Sequence, residues 1–244
     1  MMNEQTMSKL YALKLNGMAD AYEEQQKQTK INDLSFNERF SLLVEQQWLW
    51  KENRALQSRL IYAQLKEQAC VEDLDFRESR GLKRSVIDQL SACDWVRYHQ
   101  NVIVTGPTGT GKTYLACALA QKACREGYRA MYFYGTKLFR EASTAHADGS
   151  LPKLLKKISK LQLLVIDDWG LHKLDEQSCR NFLEILDDRQ GCGATLITSQ
   201  FPLKTWHEII HDQTVADAIV DRLIHGAHRI ELKGESMRKR RDKS

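Results

Sequence analysis

The segment NVIVTGPTGTGKT, from Asn101 to Thr113, restricts what this chain can become more than any other. Its β-branched run, Val102-Ile103-Val104-Thr105, reads as a strand, and Tyr114-Leu115-Ala116-Cys117-Ala118-Leu119-Ala120 reads as a helix. Between them Gly106, Pro107, Thr108, Gly109, Thr110, Gly111, Lys112 and Thr113 have the spacing G-x-x-x-x-G-K-T. Glycines let successive backbone N–H groups turn inward around a triphosphate, where Cβ atoms would block the approach. The helix that follows aims its positive end at the same phosphates. Lys112 is expected to bridge the β- and γ-phosphates, and the Thr113 hydroxyl to ligate Mg²⁺. The alternative is a glycine-rich turn that binds nothing, and the full set of fixed positions between strand and helix argues against it. The expected ligand is a nucleoside triphosphate.

At 244 residues the chain is long enough for one α/β domain and a small appendage. Hydrophobic content is 42%, and no apolar run reaches the length of a membrane span. Glu4, Lys9 and Lys14 near the N-terminus argue against a signal peptide. The cysteines, Cys70, Cys93, Cys117, Cys124, Cys179 and Cys192, form no C-x-x-C pair. Cys117 and Cys124, on the helix after the loop, are expected to pack, and scattered thiols beside a nucleotide loop suggest a reducing cytoplasm. A net charge of +4 does not by itself establish a nucleic-acid partner. Its distribution is more informative. Lys153, Lys156, Lys157 and Lys160 cluster ahead of one strand, and Arg238, Lys239, Arg240, Arg241 and Lys243 load the C-terminus. Either group is a candidate DNA contact or a solvated face.

Residues 1–69 hold one glycine, Gly17, and no proline. Leu10, Leu13, Met18 and Tyr22, then Phe36, Phe40, Leu43, Trp48 and Leu49, recur at helical spacing. This predicts a helical N-terminal domain of two or three helices. Ser35 with Glu38 has the spacing of a capping box. Trp48 and Trp50 are expected in its core rather than stacked on bases. Arg54 and Arg59 are the better candidates for DNA phosphate contact. Residues 70–100 form a connector, in which Phe76 is a candidate to cover the adenine or simply to pack. Residues 101–244 make the nucleotide-binding domain.

Within that domain, Leu163-Leu164-Val165-Ile166 ahead of Asp167-Asp168 indicates a strand buried on both faces, ending at a charged edge. Parallel α/β sheets place ligands at such carboxyl ends. Asp167 is expected to hold Mg²⁺ through water. Asp168 is expected to accept the proton of the attacking water or to orient it. Ala194-Thr195-Leu196-Ile197 is a further buried strand, ending in Thr198, Ser199 and Gln200.

The loop, the LLVIDDW run, Asp221-Arg222-Leu223 and Gly234-Glu235-Ser236-Met237-Arg238 together resemble the AAA+ ATPases of the initiator and helicase-loader group. More narrowly, nearly the whole chain is similar to the IstB-like helper ATPases encoded beside the transposase in one type of bacterial insertion sequence. The resemblance implies an AAA+ parallel-sheet core with a small helical N-terminal domain. It implies that Arg222 is an arginine finger reaching a neighbouring subunit's ATP, which makes hydrolysis depend on assembly. It further implies that Arg238 touches the γ-phosphate of its own subunit. Gln200 stands where the first sensor belongs, and Thr198 or Ser199 could serve instead. Many AAA+ proteins carry Asp-Glu where this chain has Asp167-Asp168, and the shorter carboxylate predicts slower hydrolysis.

The function implied is that of a cytoplasmic ATPase using ATP and Mg²⁺. In its ATP state it would form homo-oligomers on double-stranded DNA and recruit or stimulate a cognate transposase. A replicative helicase loader and a nucleotide-dependent scaffold with little turnover are the alternatives.

Overall fold

The computed structural model describes residues 2–28, 31, 33–76, 80–171, 174–210 and 212–237. Arg238, assigned above to the γ-phosphate, lies outside the described residues with the basic run that follows it. Two units divide the chain, 1–58 and 59–244.

The first unit contains α1 (Met2–Ala12), α2 (Asn16–Lys27) and the greater part of α3 (Phe36–Ala63), which runs on into the second. A capping box starts α3 as the spacing predicts. The Ser35 backbone N–H donates to Glu38 Oε2 at 2.8 Å, and the Glu38 N–H donates to Ser35 Oγ at 3.4 Å. Helices α2 and α3 approach closely at Gly17, where an added Cβ would lie 2.5 Å from the Trp50 Cβ and 2.8 Å from the Gln46 carbonyl. Trp50 is half-buried, with the Arg54 guanidinium 5.0 Å above its ring. Trp48 departs from expectation: it is 57% exposed rather than core. The half-buried stripe of α3 follows Arg39, Leu43, Gln47 and Trp50. Trp48 is one residue, or about 100°, off that stripe. Phe36 and Phe40 also lie outside it, stacked on each other at the surface at 6.0 Å.

In the second unit Phe76 lies under the Arg84 guanidinium at 4.3 Å. Helices α4 (Arg84–Ser91) and α5 (Asp94–Arg97) lead into β1 (Val102–Thr105). There follow α6 (Lys112–Arg125), β2 (Ala130–Tyr134), α7 (Gly135–Ala147), α8 (Leu151–Ser159) and β3 (Leu163–Trp169). The unit then continues through α9 (Glu176–Asp187), β4 (Ala194–Ser199), α10 (Trp206–Ile209), α11 (Gln213–Ile224) and β5 (His228–Glu231). The strands form one sheet in the order β2-β3-β4-β1-β5, and every paired neighbour is parallel.

Strand alternation divides the core between the two faces of the sheet. Ile103, Met131, Phe133, Leu164, Ile166 and Ile197 pack with residues of α7, α8, α9 and α11, among them Leu138, Leu155, Phe182 and Ile219. Their chain neighbours Val102, Val104, Leu163, Val165 and Leu196 are buried on the opposite face, where α6 packs. One buried cation joins three elements. Arg189, 2% exposed, donates through Nη1 to the carbonyls of Ile158 (2.8 Å) and Leu161 (3.0 Å). Its Nε donates to Thr195 Oγ1 at 3.3 Å, and its Nη2 to the Ala194 carbonyl. Burial lowers its pKa to about 10, so it remains a cation at neutral pH.

Candidate functional site: a phosphate loop facing a caged carboxylate

Strand β1 ends and α6 begins around the glycine-rich loop, with Gly111 in the left-handed region (φ 91°) as the helix N-cap. This turn aims the first N–H groups of α6 at whatever the loop holds. Lys112 is buried, and its ammonium donates to the carbonyls of Gly106 (2.8 Å) and Pro107 (3.0 Å), which hold it at the loop. Two segments distant in sequence brace the loop from outside. Arg80 donates through Nη2 to the Thr110 carbonyl at 2.9 Å. The Met237 N–H donates to the Gly109 carbonyl at 2.8 Å, and an added Cβ on Gly109 would lie 2.2 Å from Ser236 Oγ. Gly109 is thus needed for close approach as well as for its φ of +84°.

Asp167 is fully buried at the end of β3, and hydroxyls surround it. Thr198 Oγ1 donates to its Oδ1 at 2.6 Å, and the Tyr132 phenol donates to its Oδ2 at 2.6 Å. Thr113 Oγ1 lies 3.1 Å from Oδ1 and 2.9 Å from Oδ2. A buried carboxylate without such partners is expensive, and several good donors offset its desolvation. Burial, and then the hydrogen bond to Asp167 and its charge, raise the Tyr132 pKa well above the usual tyrosine value, so the phenol stays a donor. Thr113 and Asp167 therefore present adjoining oxygens beside the loop, the donor chemistry that small hard cations prefer.

Asp168 follows in a different environment. It is half-buried and its backbone is left-handed (φ 55°). The β3–β4 register is irregular between Ile166 and Trp169. A non-glycine residue held there carries about 1–3 kcal/mol of strain, a feature that clusters at functional sites. Its N–H donates to Thr198 Oγ1 at 2.9 Å, so Thr198 orients both acidic residues. Gln200 Nε2 reaches Asp168 Oδ1 at 3.4 Å, while its Oε1 accepts from Thr108 Oγ1 at 2.6 Å. Gln200 thereby bridges the loop to the second carboxylate. Ser199 instead donates to the Trp169 carbonyl at 3.0 Å and is directed away from the loop.

The remaining candidates lie elsewhere. Arg222 is at the opposite end of the strands from the phosphate loop. Its carbonyl accepts from Asn101, just ahead of β1, whereas the loop follows the other end of that strand, about 16 Å farther on. Lys153, Lys156, Lys157 and Lys160 line one recess with Arg129, Tyr62 and Leu161. Within it Arg129 stacks on Tyr62 at 5.3 Å. Arg59, the first residue of the second unit, donates through Nε to the Cys124 carbonyl of α6 at 2.8 Å. Among the described residues no cluster of three or more His, Cys, Asp or Glu side chains could hold a metal alone.

Tyr132, Arg80 and Ser236 were absent from the candidates read in sequence. The signal for Tyr132 was strand parity: Tyr132, Asp167 and Thr198 fall on the sheet face opposite the Ile166 cluster, the face that α6 covers. Recognising this required knowing that β2 and β4 flank β3.

The family model described as IstB-like ATP binding protein matches residues 8–244. An insertion sequence ATP-binding protein of Sinorhizobium fredii is 45% identical over 239 residues, covering 98% of each chain. In fold, the chain is similar to the crystal structure of DnaI, with a TM-score of 0.57 and 23% identity over 68% of this chain and 92% of that one. It is likewise similar to the DnaC helicase loader, with a TM-score of 0.55 and 18% identity over 68% of this chain and 97% of that one. The architecture is thus a parallel α/β core shared in fold with DnaI and the DnaC helicase loader, together with a helical N-terminal region. The chain belongs to the family of IstB-like ATP-binding proteins.

Proposed function

We propose that the chain is an ATP-dependent helper of DNA transposition. In its ATP state it assembles on double-stranded DNA, recruits or stimulates a transposase, and uses slow hydrolysis as a switch. The similarity to an insertion sequence ATP-binding protein along both full lengths favours this over a helicase loader, which the chain matches in fold alone. ATP would lie in the loop from Gly106 to Thr113. Mg²⁺ would be held by Thr113 and, through water, by Asp167, neutralising charge on the phosphates. Asp168 would orient the attacking water, held in place by Thr198 and Gln200. Gln200, touching both Thr108 and Asp168, is favoured as the first sensor.

The observation that carries the assembly reading is the separation of Arg222 from its own loop. A cation at the far end of the strands can stabilise a transferring phosphoryl group only on another copy. The test measures ATP turnover and particle size together, with and without duplex DNA, for the native chain and Arg222→Ala. DNA-stimulated turnover that falls about 1,000-fold in the variant, with assembly retained, is expected. A native chain that hydrolyses ATP as a monomer and ignores DNA would overturn the reading.

The lysines of α8 would contact phosphates without reading sequence. A Lys156→Glu/Lys157→Glu double variant is expected to weaken duplex binding at least tenfold and to flatten its dependence on salt by about two phosphate contacts. Fluorescence anisotropy across a salt series checks this. Unchanged affinity would remove α8 from the interface.

Tyr132→Phe deletes one of the hydroxyl donors to Asp167. Affinity for the magnesium–nucleotide complex is expected to fall about tenfold, with affinity for nucleotide in EDTA unchanged. Titration of a fluorescent ATP analogue under both conditions separates these effects. An equal loss in both would place the phenol's influence on the loop instead.

A further inference from the structure

Arg222 lies in the last turn of α11, and its backbone and side chain are tethered by different residues. Asn101 Nδ2 donates to the carbonyls of Arg222 (3.0 Å) and Leu223 (3.3 Å), while Asn101 Oδ1 accepts from the Thr195 N–H at 3.0 Å. One amide thus satisfies carbonyls that a helix end leaves orphaned, and ties them to the starts of β1 and β4. The guanidinium is held separately. Its Nε donates to Oδ1 of Asp187, the last residue of α9, and its Nη1 donates to the Ala218 carbonyl at 3.0 Å.

These contacts engage Nε and Nη1, which lie on different edges of the planar fork. Of the guanidinium's N–H groups, those on Nη2 engage no acceptor among the described residues. The side chain is 28% exposed and borders a recess of about 380 Å³, also lined by Asn101, Arg189, Asp221 and His225. The cation is therefore held by Nε while its outer donors remain available at an open surface.

We propose that Asp187 is a positioning residue for Arg222, serving the nucleotide site of a neighbouring copy rather than its own. The proposal rests on the reading of Arg222 as an arginine that acts in trans. Two roles could follow from the ion pair, a latch that parks the arginine or a brace that aims it. Asp187 is 44% exposed, and a solvent-exposed pair is too weak to withhold an arginine from a triphosphate. It is sufficient to limit the rotamers of a long side chain whose fork must meet a phosphoryl group in one orientation. The geometry selects the brace.

The test mixes two full-length variants on duplex DNA with saturating ATP. Donor chains carry Asp168→Asn, which disables their own hydrolysis and leaves Arg222 in place. Acceptor chains carry Arg222→Ala and keep an intact site, so turnover comes from acceptor sites served by donor arginines. Asp187→Asn added to the donor chains is expected to lower kcat of the mixture about tenfold, with the KM for ATP and the assembly size unchanged. Added to the acceptor chains, where no arginine remains to be aimed, it is expected to leave kcat as it was. Asp187→Glu in the donors, which keeps the charge, should recover at least half of the loss. A parent mixture no more active than its separate components would defeat the trans reading, and the proposal with it. An active parent mixture in which Asp187→Asn acts equally from either chain, raises turnover, or is not rescued by Glu would overturn the proposal alone.

Discussion

A buried carboxylate is the constraint around which the nucleotide-binding unit is arranged. Asp167 has no solvent access, and its oxygens are satisfied by Thr113 at the start of α6, Tyr132 on β2 and Thr198 on β4. Three elements must therefore converge on the end of β3. The sheet order β2-β3-β4 meets that requirement by flanking β3 with both hydroxyl-bearing strands. The phosphate loop inherits its position from the same arrangement, because Thr113 is at once the loop's last residue and a donor to the carboxylate. The segment proposed to bind phosphate and the carboxylate proposed to face a cation are thereby fixed to one another.

Much of this was legible in local sequence. The strand, glycine turn and helix from Val102 onward, the apolar run into Asp167-Asp168, and the Ser35–Glu38 capping box each depend on neighbours within a few residues. What escaped depends on contacts across long separations. Strand parity in the run Ala130–Tyr134 points Tyr132 at a residue 35 positions away only once β2 is known to flank β3. Thr198, Ser199 and Gln200 could not be ranked in sequence. Their roles separate only once alternation turns Thr198 to the carboxylates and Ser199 to the Trp169 carbonyl. Trp48 illustrates the opposite failure: hydrophobic spacing identified the helix, but not which side of it α2 would cover.

The site is well supplied for binding, and the elements proposed for hydrolysis are unequally placed. Lys112, Thr113, Asp167, Asp168 and Gln200 meet around the loop. Arg222 is held at the other end of the strands by Asn101 and Asp187. On the proposed reading, a division of this kind would make catalysis a property of contact between copies. It suits a protein that should consume ATP only after assembly, since an isolated copy would bind nucleotide and wait.

The most direct test of this account is the specific ATPase rate as a function of protein concentration, measured below and above the onset of assembly at fixed, saturating magnesium–ATP. If each site requires an arginine from its neighbour, turnover per chain should be negligible at low concentration and rise steeply as copies associate. Turnover per chain that stays constant across the dilution series would show that each copy completes its own site, and would contradict the account.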